Sequence, residues 1–237
     1  STMLFFTDQG RVFSRKVFHL PQGSRIARGK PIINVLPFDP DEKLAMVLAV
    51  DEFTEGHFLF FATASGRVKK TNLMAYSNIR STGIIAIKLN DGDQLIAVRP
   101  TTGQSDILLS TANGMAIRFR EDNVRFMGRD TAGVRGIDLQ TDDQVVGCVT
   151  FDREETDGDE VTLLTVTRNG YGKKTTLNGY LRGGNTQSRG GKGLIDIQTD
   201  ERNGPVIGVI KVVEETDQYL LVTDSGVIIR ANTRTVS

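Results

Sequence analysis

The chain has 237 residues, 24% of them charged and 38% hydrophobic, which is the balance of a folded globular protein and not of a disordered one. A single cysteine, Cys148, and two distant histidines, His19 and His57, exclude a disulfide framework and leave little for a zinc centre, so no metal site is expected. Twenty-nine Lys+Arg balance twenty-nine Asp+Glu, and the zero net charge taken alone argues against a polyanionic partner. The longest apolar run, Leu44 to Val50, is far too short to span a bilayer, and the N-terminus has no signal-peptide pattern. The expectation is a soluble cytoplasmic protein with no membrane partner.

Along the chain one pattern returns five times: an apolar pair or triplet, Thr, two turn residues, Gly. It reads Leu4-Phe5-Phe6-Thr7-Asp8-Gln9-Gly10, then Phe60-Phe61-Ala62-Thr63-Ala64-Ser65-Gly66, then Leu108-Leu109-Ser110-Thr111-Ala112-Asn113-Gly114. Leu164-Thr165-Val166-Thr167-Arg168-Asn169-Gly170 and Leu220-Leu221-Val222-Thr223-Asp224-Ser225-Gly226 complete the set. A second β-prone stretch follows each Gly, so each unit predicts a hairpin whose turn needs the positive φ that glycine accepts. The recurring Thr is expected to support that turn. A second glycine (Gly29, Gly83, Gly133, Gly193) precedes an alternating strand: Ile33 and Val35, Ile87 and Leu89, Ile137 and Leu139, Ile195 and Ile197. An acidic turn then leads to a last apolar strand: Leu44 to Val50, Leu95 to Val98, Val145 to Val149, Val206 to Ile210.

Four strands in about fifty residues, with no helix-period stretch, predict an all-β, propeller-like single domain of repeated four-stranded blades. The expected repeats run about 1–56, 57–105, 106–160 and 161–217, with a partial fifth at 218–237. Such a unit cannot bury both faces alone, so neighbours must stack.

The zero net charge hides a pattern. Segments 10–30, 66–88, 114–135, 170–193 and 226–237 hold 23 Lys+Arg against only Glu121, Asp122 and Asp130. The other 135 residues hold 6 basic and 26 acidic side chains. Recurrence at one place in every repeat predicts a basic stripe along one rim, and phosphate is the partner that rewards it through counterion release. Acidic turns such as Asp152 to Glu160 are then exposed connections that keep the stripe narrow.

The expected DNA contacts fall in two groups. On the second hairpin strand stand Arg15, Lys16, Lys69, Lys70, Arg118, Arg120, Lys173, Lys174 and Arg230. Around the second glycine stand Arg25, Arg28, Lys30, Arg80, Arg125, Arg129, Arg182, Arg189 and Lys192. Lys70, Arg118, Lys174 and Arg230 each lie four places after the hairpin Gly, on one sheet face that is expected to be partly open. Glycine next to a cation lets backbone amides approach a phosphate closely. No recognition helix is legible, so binding should be to backbone and favour bendable sequence.

Gln187-Ser188-Arg189-Gly190-Gly191-Lys192-Gly193 matches six of seven positions of the QRRGGKG box, with Ser188 where the box has Arg. Together with Gly170-Tyr171-Gly172-Lys173-Lys174-Thr175 and Glu201-Arg202-Asn203-Gly204, the whole chain resembles the C-terminal domain of the DNA gyrase A protein. The resemblance implies a β-pinwheel, a propeller-like fold whose blades exchange strands, with a basic rim that wraps duplex DNA for ATP-dependent negative supercoiling. It also implies the rest of the gyrase A protein and the gyrase B protein as partners in an A2B2 assembly in bacteria, with ATP and magnesium used only elsewhere in it. In the family the box lies in the first blade, whereas this copy lies in the fourth repeat. It is therefore either the box or its equivalent in a later repeat. The chain stops part-way through its fifth repeat, so an intact domain of five or six blades is expected. The equivalent domain of topoisomerase IV and a protein-interaction propeller are the rival readings.

The Gly-Lys of this element is not a nucleotide loop, because Thr186 stands where a Walker glycine is needed and Gly193 where Ser or Thr is. No catalytic residue is expected. The four tyrosines, Tyr76, Tyr171, Tyr180 and Tyr219, lack an acidic metal constellation nearby in sequence and are expected to pack. Cys148 sits in an apolar strand and is expected to be buried and inert.

Overall fold

The computed structural model describes residues 1–24, 28–152, 161–212, 217–222 and 227–235. In chain order its strands begin with β1 (Thr2–Thr7), β2 (Arg11–Lys16), β3 (Leu44–Val50), β4 (Phe58–Thr63), β5 (Arg67–Asn72) and β6 (Ile84–Ile85). They continue as β7 (Leu95–Thr101), β8 (Asp106–Thr111), β9 (Met115–Arg120), β10 (Val134–Arg135), β11 (Val145–Phe151) and β12 (Thr162–Thr167). Last come β13 (Gly172–Thr176), β14 (Leu194–Ile195), β15 (Val206–Val212), β16 (Gln218–Val222) and β17 (Ile228–Asn232). The only helical pieces among the described residues are short 3-10 turns.

The first four hairpins are each closed by the repeated Thr and Gly. The Gly10 amide donates to the Thr7 carbonyl at 3.0 Å, while the Arg11 amide donates to the Thr7 hydroxyl at 3.2 Å. Gly66 with Thr63 and Gly114 with Thr111 repeat both bonds. At Thr167 the backbone bond from Gly170 is kept, but the hydroxyl donates to the Tyr171 carbonyl. The threonine thus holds the turn, as expected. The fifth turn, with Gly226, and acidic residues 153–160 lie outside the described residues.

Two compact units carry these strands, one of residues 1–103 with 124–134, the other of 104–123 with 135–237. In the first, one sheet has the order β3-β1-β2-β6 and the other β10-β5-β4-β7. In the second, the orders are β11-β8-β9-β14 and β13-β12-β15, with β16-β17 as a separate pair. The fourth strand of a complete sheet is not its own: β6 of the second repeat pairs with β2, and β14 of the fourth pairs with β9. The fold is therefore an all-β pinwheel, built by strand exchange.

This exchange corrects the expected third strand. It begins at the second glycine and is only two residues long, at 84–85, 134–135 and 194–195. Ile87 and Ile137 lie beyond it as buried, non-strand residues, and in the first repeat Ile32–Asn34 is a 3-10 turn with Ile33 exposed. Crossing chains leave no room for side chains where they meet. Gly114 has φ +81° and its carbonyl accepts the amides of Asp196 (2.8 Å) and Ile197 (3.3 Å), so a Cβ there would collide with the Ile197 carbonyl. On the other side of the crossing Gly193, at φ +80°, lies against the Ala116 carbonyl. The glycine beside Lys192 thus serves the exchange.

The cores follow from alternation. In the first unit Leu4, Phe6, Leu59, Phe61 and Tyr76 are buried together, with Phe6 and Phe61 edge to face at 5.8 Å. The opposite face of its first sheet buries Phe5 and Phe13 against Leu36 and Phe38. In the second unit Leu108, Phe151, Leu163, Leu177 and Tyr180 form a core, and Cys148 is buried. Part of the acidic set works inside the fold: Asp93 accepts the Ser65 amide at 2.8 Å and Asp143 the Asn113 amide at 2.9 Å. Those carboxylates tie hairpin turns down and are not mere spacers.

Gly114→Ala should cost about 2–4 kcal/mol, combining the positive-φ penalty with a backbone clash, and thermal unfolding of the 237-residue chain measures it.

Candidate nucleic-acid interface

In the first unit the sequence-predicted cations divide into inside and outside. Lys16, Arg28, Lys30, Arg80 and Arg125 are exposed, while Arg15 and Arg129 are half-buried. Arg25 lies outside the described residues. Arg15 donates to the Val35 carbonyl at 3.2 Å, and Lys16 to the Thr2 hydroxyl at 3.0 Å. Arg80 and Arg129 line an open cleft of about 860 Å³ with Arg11, Asp130 and the short strand Ile84–Ile85. Arg11 is already neutralised there, 2.7 Å from Asp39 and 2.8 Å from buried Glu42.

Lys70 is buried, which corrects its placement on a partly open face, and Lys69 beside it is buried too. The Lys69 ammonium donates to the carbonyls of Ala86 (2.6 Å), Arg129 (2.6 Å) and Gly128 (3.3 Å), above the Phe61 ring at 5.0 Å. It fastens segment 128–129 to the blade. Burial, reinforced by the Arg129 guanidinium and opposed by Asp130, pushes its pKa down from 10.5 to about 7. The Lys70 ammonium lies 5.3 Å from the Phe58 ring.

In the second unit Arg120, Lys173, Arg182, Lys192 and Arg230 are exposed, and Lys174 and Arg189 are half-buried. Arg118 is buried and corrected likewise. Its Nε and one Nη donate to Asp106 at 3.0 and 2.8 Å, and the other Nη donates to the Leu177 carbonyl at 2.8 Å. The adjacent covering comes from residues remote in sequence.

The box-like element runs against β9. The Gln187 amide donates to the Arg118 carbonyl at 2.9 Å, and the Gly190 amide to Gly136 at 2.6 Å. Arg189 donates to the carbonyls of Asn123 (2.9 Å) and Arg135 (3.0 Å). Ser188 and Lys192 stay exposed. The first unit has an equivalent, because the Met127 amide donates to the Lys70 carbonyl at 2.7 Å. That register matches Met127–Gly133 to Gln187–Gly193 and Arg129 to Arg189. The element at 187–193 is therefore also a recurring strap of the strand exchange.

A known family matches this sequence. Its description is "DNA gyrase C-terminal domain, beta-propeller", and residues 1–51, 57–102, 105–152 and 162–212 match it. The chain belongs to that family. Among curated relatives, the DNA gyrase A protein of Salmonella typhimurium is 45% identical over 236 residues, covering 100% of this chain and 26% of that protein. The Escherichia coli K12 counterpart is 44% identical over 235 residues, with 99% and 26% covered. That of Staphylococcus epidermidis is 42% identical over 236 residues, with 99% and 25% covered. The chain thus spans about a quarter of these relatives. A crystal structure of the C-terminal domain of DNA topoisomerase IV superposes with TM-score 0.88 at 26% identity, covering all of this chain and 71% of that one. A DNA gyrase A C-terminal domain shares the fold with TM-score 0.80 at 22% identity, covering 98% and 72%.

Three of the four tyrosines pack or stack. The Tyr76 hydroxyl donates to the Ala86 carbonyl (3.1 Å) and the Tyr180 hydroxyl to Asp196 (2.9 Å), and burial raises the pKa of both phenols. Tyr171 is exposed beneath the Arg202 guanidinium, 4.7 Å from its ring. Arg202 is an exposed cation that the basic segments did not include, because it belongs to the acidic turn facing the hairpin. An aromatic residue directly after the hairpin glycine was the available signal. No group of three or more metal-ligating side chains occurs among the described residues, and no helix there is long and apolar enough to cross a membrane.

Arg118→Ala would strand buried Asp106 and should destabilise the chain by about 3–5 kcal/mol in thermal unfolding. Lys69 binds its proton more weakly when folded than unfolded, so its contribution makes stability rise from about pH 7 towards 10.5. The melting temperature of Lys69→Met should lack that rise when compared with the parent chain across the window.

Proposed function

We propose that this chain binds duplex DNA through its exposed cations and bends it for the ATP-dependent negative supercoiling carried out by DNA gyrase. The observation that carries the reading is placement. Arg80, Arg125, Arg120, Arg182 and Lys192 are exposed on β9 or on the exchange connections of successive repeats, while the surplus of carboxylates lies outside the basic segments. Interior Lys69 and Arg118 are released from this role, and Lys70 supports the strap. The remaining cations, including half-buried Arg129 of the first unit and Arg189 and Lys174 of the second, are those left to each unit for reading the phosphate backbone.

Bending a 20–30 bp site by 40–90° costs on the order of 1–6 kcal/mol, which phosphate neutralisation has to exceed. About ten phosphate contacts would give a slope of log K against log salt near −9. The proposal places the chain in the bacterial cytoplasm, at the nucleoid. It joins the rest of the gyrase A protein and the gyrase B protein in an A2B2 assembly, with ATP hydrolysis and DNA cleavage in other parts.

A salt titration of duplex binding tests this. Replacing Arg80, Arg125 and Lys192 together by Ala should make the slope shallower by about 2–3. An unchanged slope means that these side chains do not face the phosphates. The 0.88 superposition favours one second reading, the equivalent domain of topoisomerase IV. A nicked plasmid sealed in the presence of the chain separates the two: a shifted linking number supports gyrase-type wrapping, and none supports topoisomerase IV.

A further inference from the structure

Among the described residues the two most exposed large apolar side chains are both phenylalanines within basic segments: Phe18 at 78% and Phe126 at 72%. Phe18 has an occupant for its ring, since His19 stacks edge-on against it at 4.2 Å. Phe126 is presented differently. Its backbone is bridged in parallel to Lys70, and the next amide, Met127, donates to the Lys70 carbonyl at 2.7 Å. Two residues earlier Val124 is fully buried, and shortly after it Lys69 grips the carbonyls of Gly128 and Arg129. A ring held out in water on a backbone fastened at both sides loses little freedom on binding, and it retains most of the gain of leaving water.

Exposed Arg125 and half-buried Arg129 flank the ring along the chain. An apolar side chain between cations suits a duplex, whose phosphates attract the flanks and whose base steps accept an apolar wedge. Resting on the DNA-binding reading above, we infer that Phe126 inserts between adjacent base pairs and kinks the duplex, favouring pyrimidine–purine steps, which unstack most easily. The position in the fourth repeat with the same register, before Gln187, is Thr186, so the wedge is a local device and not a property of every repeat.

The test uses the 237-residue chain and duplexes in which 2-aminopurine replaces adenine either in a TA step or inside an A-tract. Insertion should brighten the probe in the TA step and leave the A-tract probe unchanged. Phe126→Ala should abolish the brightening, reduce the bend read by end-to-end energy transfer and weaken binding about five-fold, with the salt slope unaltered. Phe126→Leu should keep part of each signal, and it carries the test where the alanine variant does not fold. Brightening, bend and affinity that are all indifferent to Phe126 overturn the wedge while DNA binding stands. A parent chain that retains no duplex even at low salt overturns the DNA-binding reading, and the wedge with it.

Discussion

A four-stranded sheet here is completed by two residues borrowed from the following repeat, and everything else is arranged so that this short strand can dock. It pairs at Val12↔Ile84 and Arg11↔Ile85 in one sheet, and at Ala116↔Leu194 and Met115↔Ile195 in another. Two residue pairs are too few to hold a strand by hydrogen bonding alone, given a net contribution of about 1 kcal/mol per bond. Glycines at the crossing let the backbones close up, and side chains of the basic segments grip the carbonyls of the incoming chain. Arg67 donates to Ala132 and Gly133, and Lys69 to Gly128 and Arg129.

The basic segments therefore have two uses. Some cations face inward and satisfy backbone carbonyls or a buried carboxylate, as Lys69 and Arg118 do. Others, such as Arg80, Arg120 and Lys192, remain in water. The two uses support one another: an interior ammonium bound to three carbonyls makes the connection rigid, and a rigid connection holds the outward cations and the Phe126 ring in fixed places. A flexible loop with the same charge would pay more conformational entropy to meet a duplex.

The box-like heptapeptide illustrates this. Gln187, Arg189, Gly190 and Gly193 are taken up by contacts within the fold, leaving Ser188 and Lys192 at the surface. Its seven residues read as one phosphate-facing motif in sequence, yet most of them position and few are free to contact a ligand. The equivalent strap at 127–133 keeps Arg129 and Gly133 and varies the rest, as expected when geometry constrains the anchors and solvent faces the others.

Local chemistry was legible without coordinates. The Thr-x-x-Gly turn, the hairpins, the long apolar strands and the period of the repeat all follow from interactions within a few residues, and the structure keeps them. The resemblance of the chain as a whole to the gyrase C-terminal family holds too. Less was legible about the third strand and about which face of the second hairpin strand is open. Alternation sorts Lys70 and Arg118 from their neighbours, but it does not say which side will be covered. Met127 meets the Lys70 backbone and the Leu177 carbonyl meets the Arg118 guanidinium, each from more than fifty residues away along the chain. Sequence alone determined what each repeat can build, because turn bonds and side-chain alternation are local. Only tertiary structure decided which cations keep their water, because strand exchange brings remote backbone over some of them and leaves the others bare.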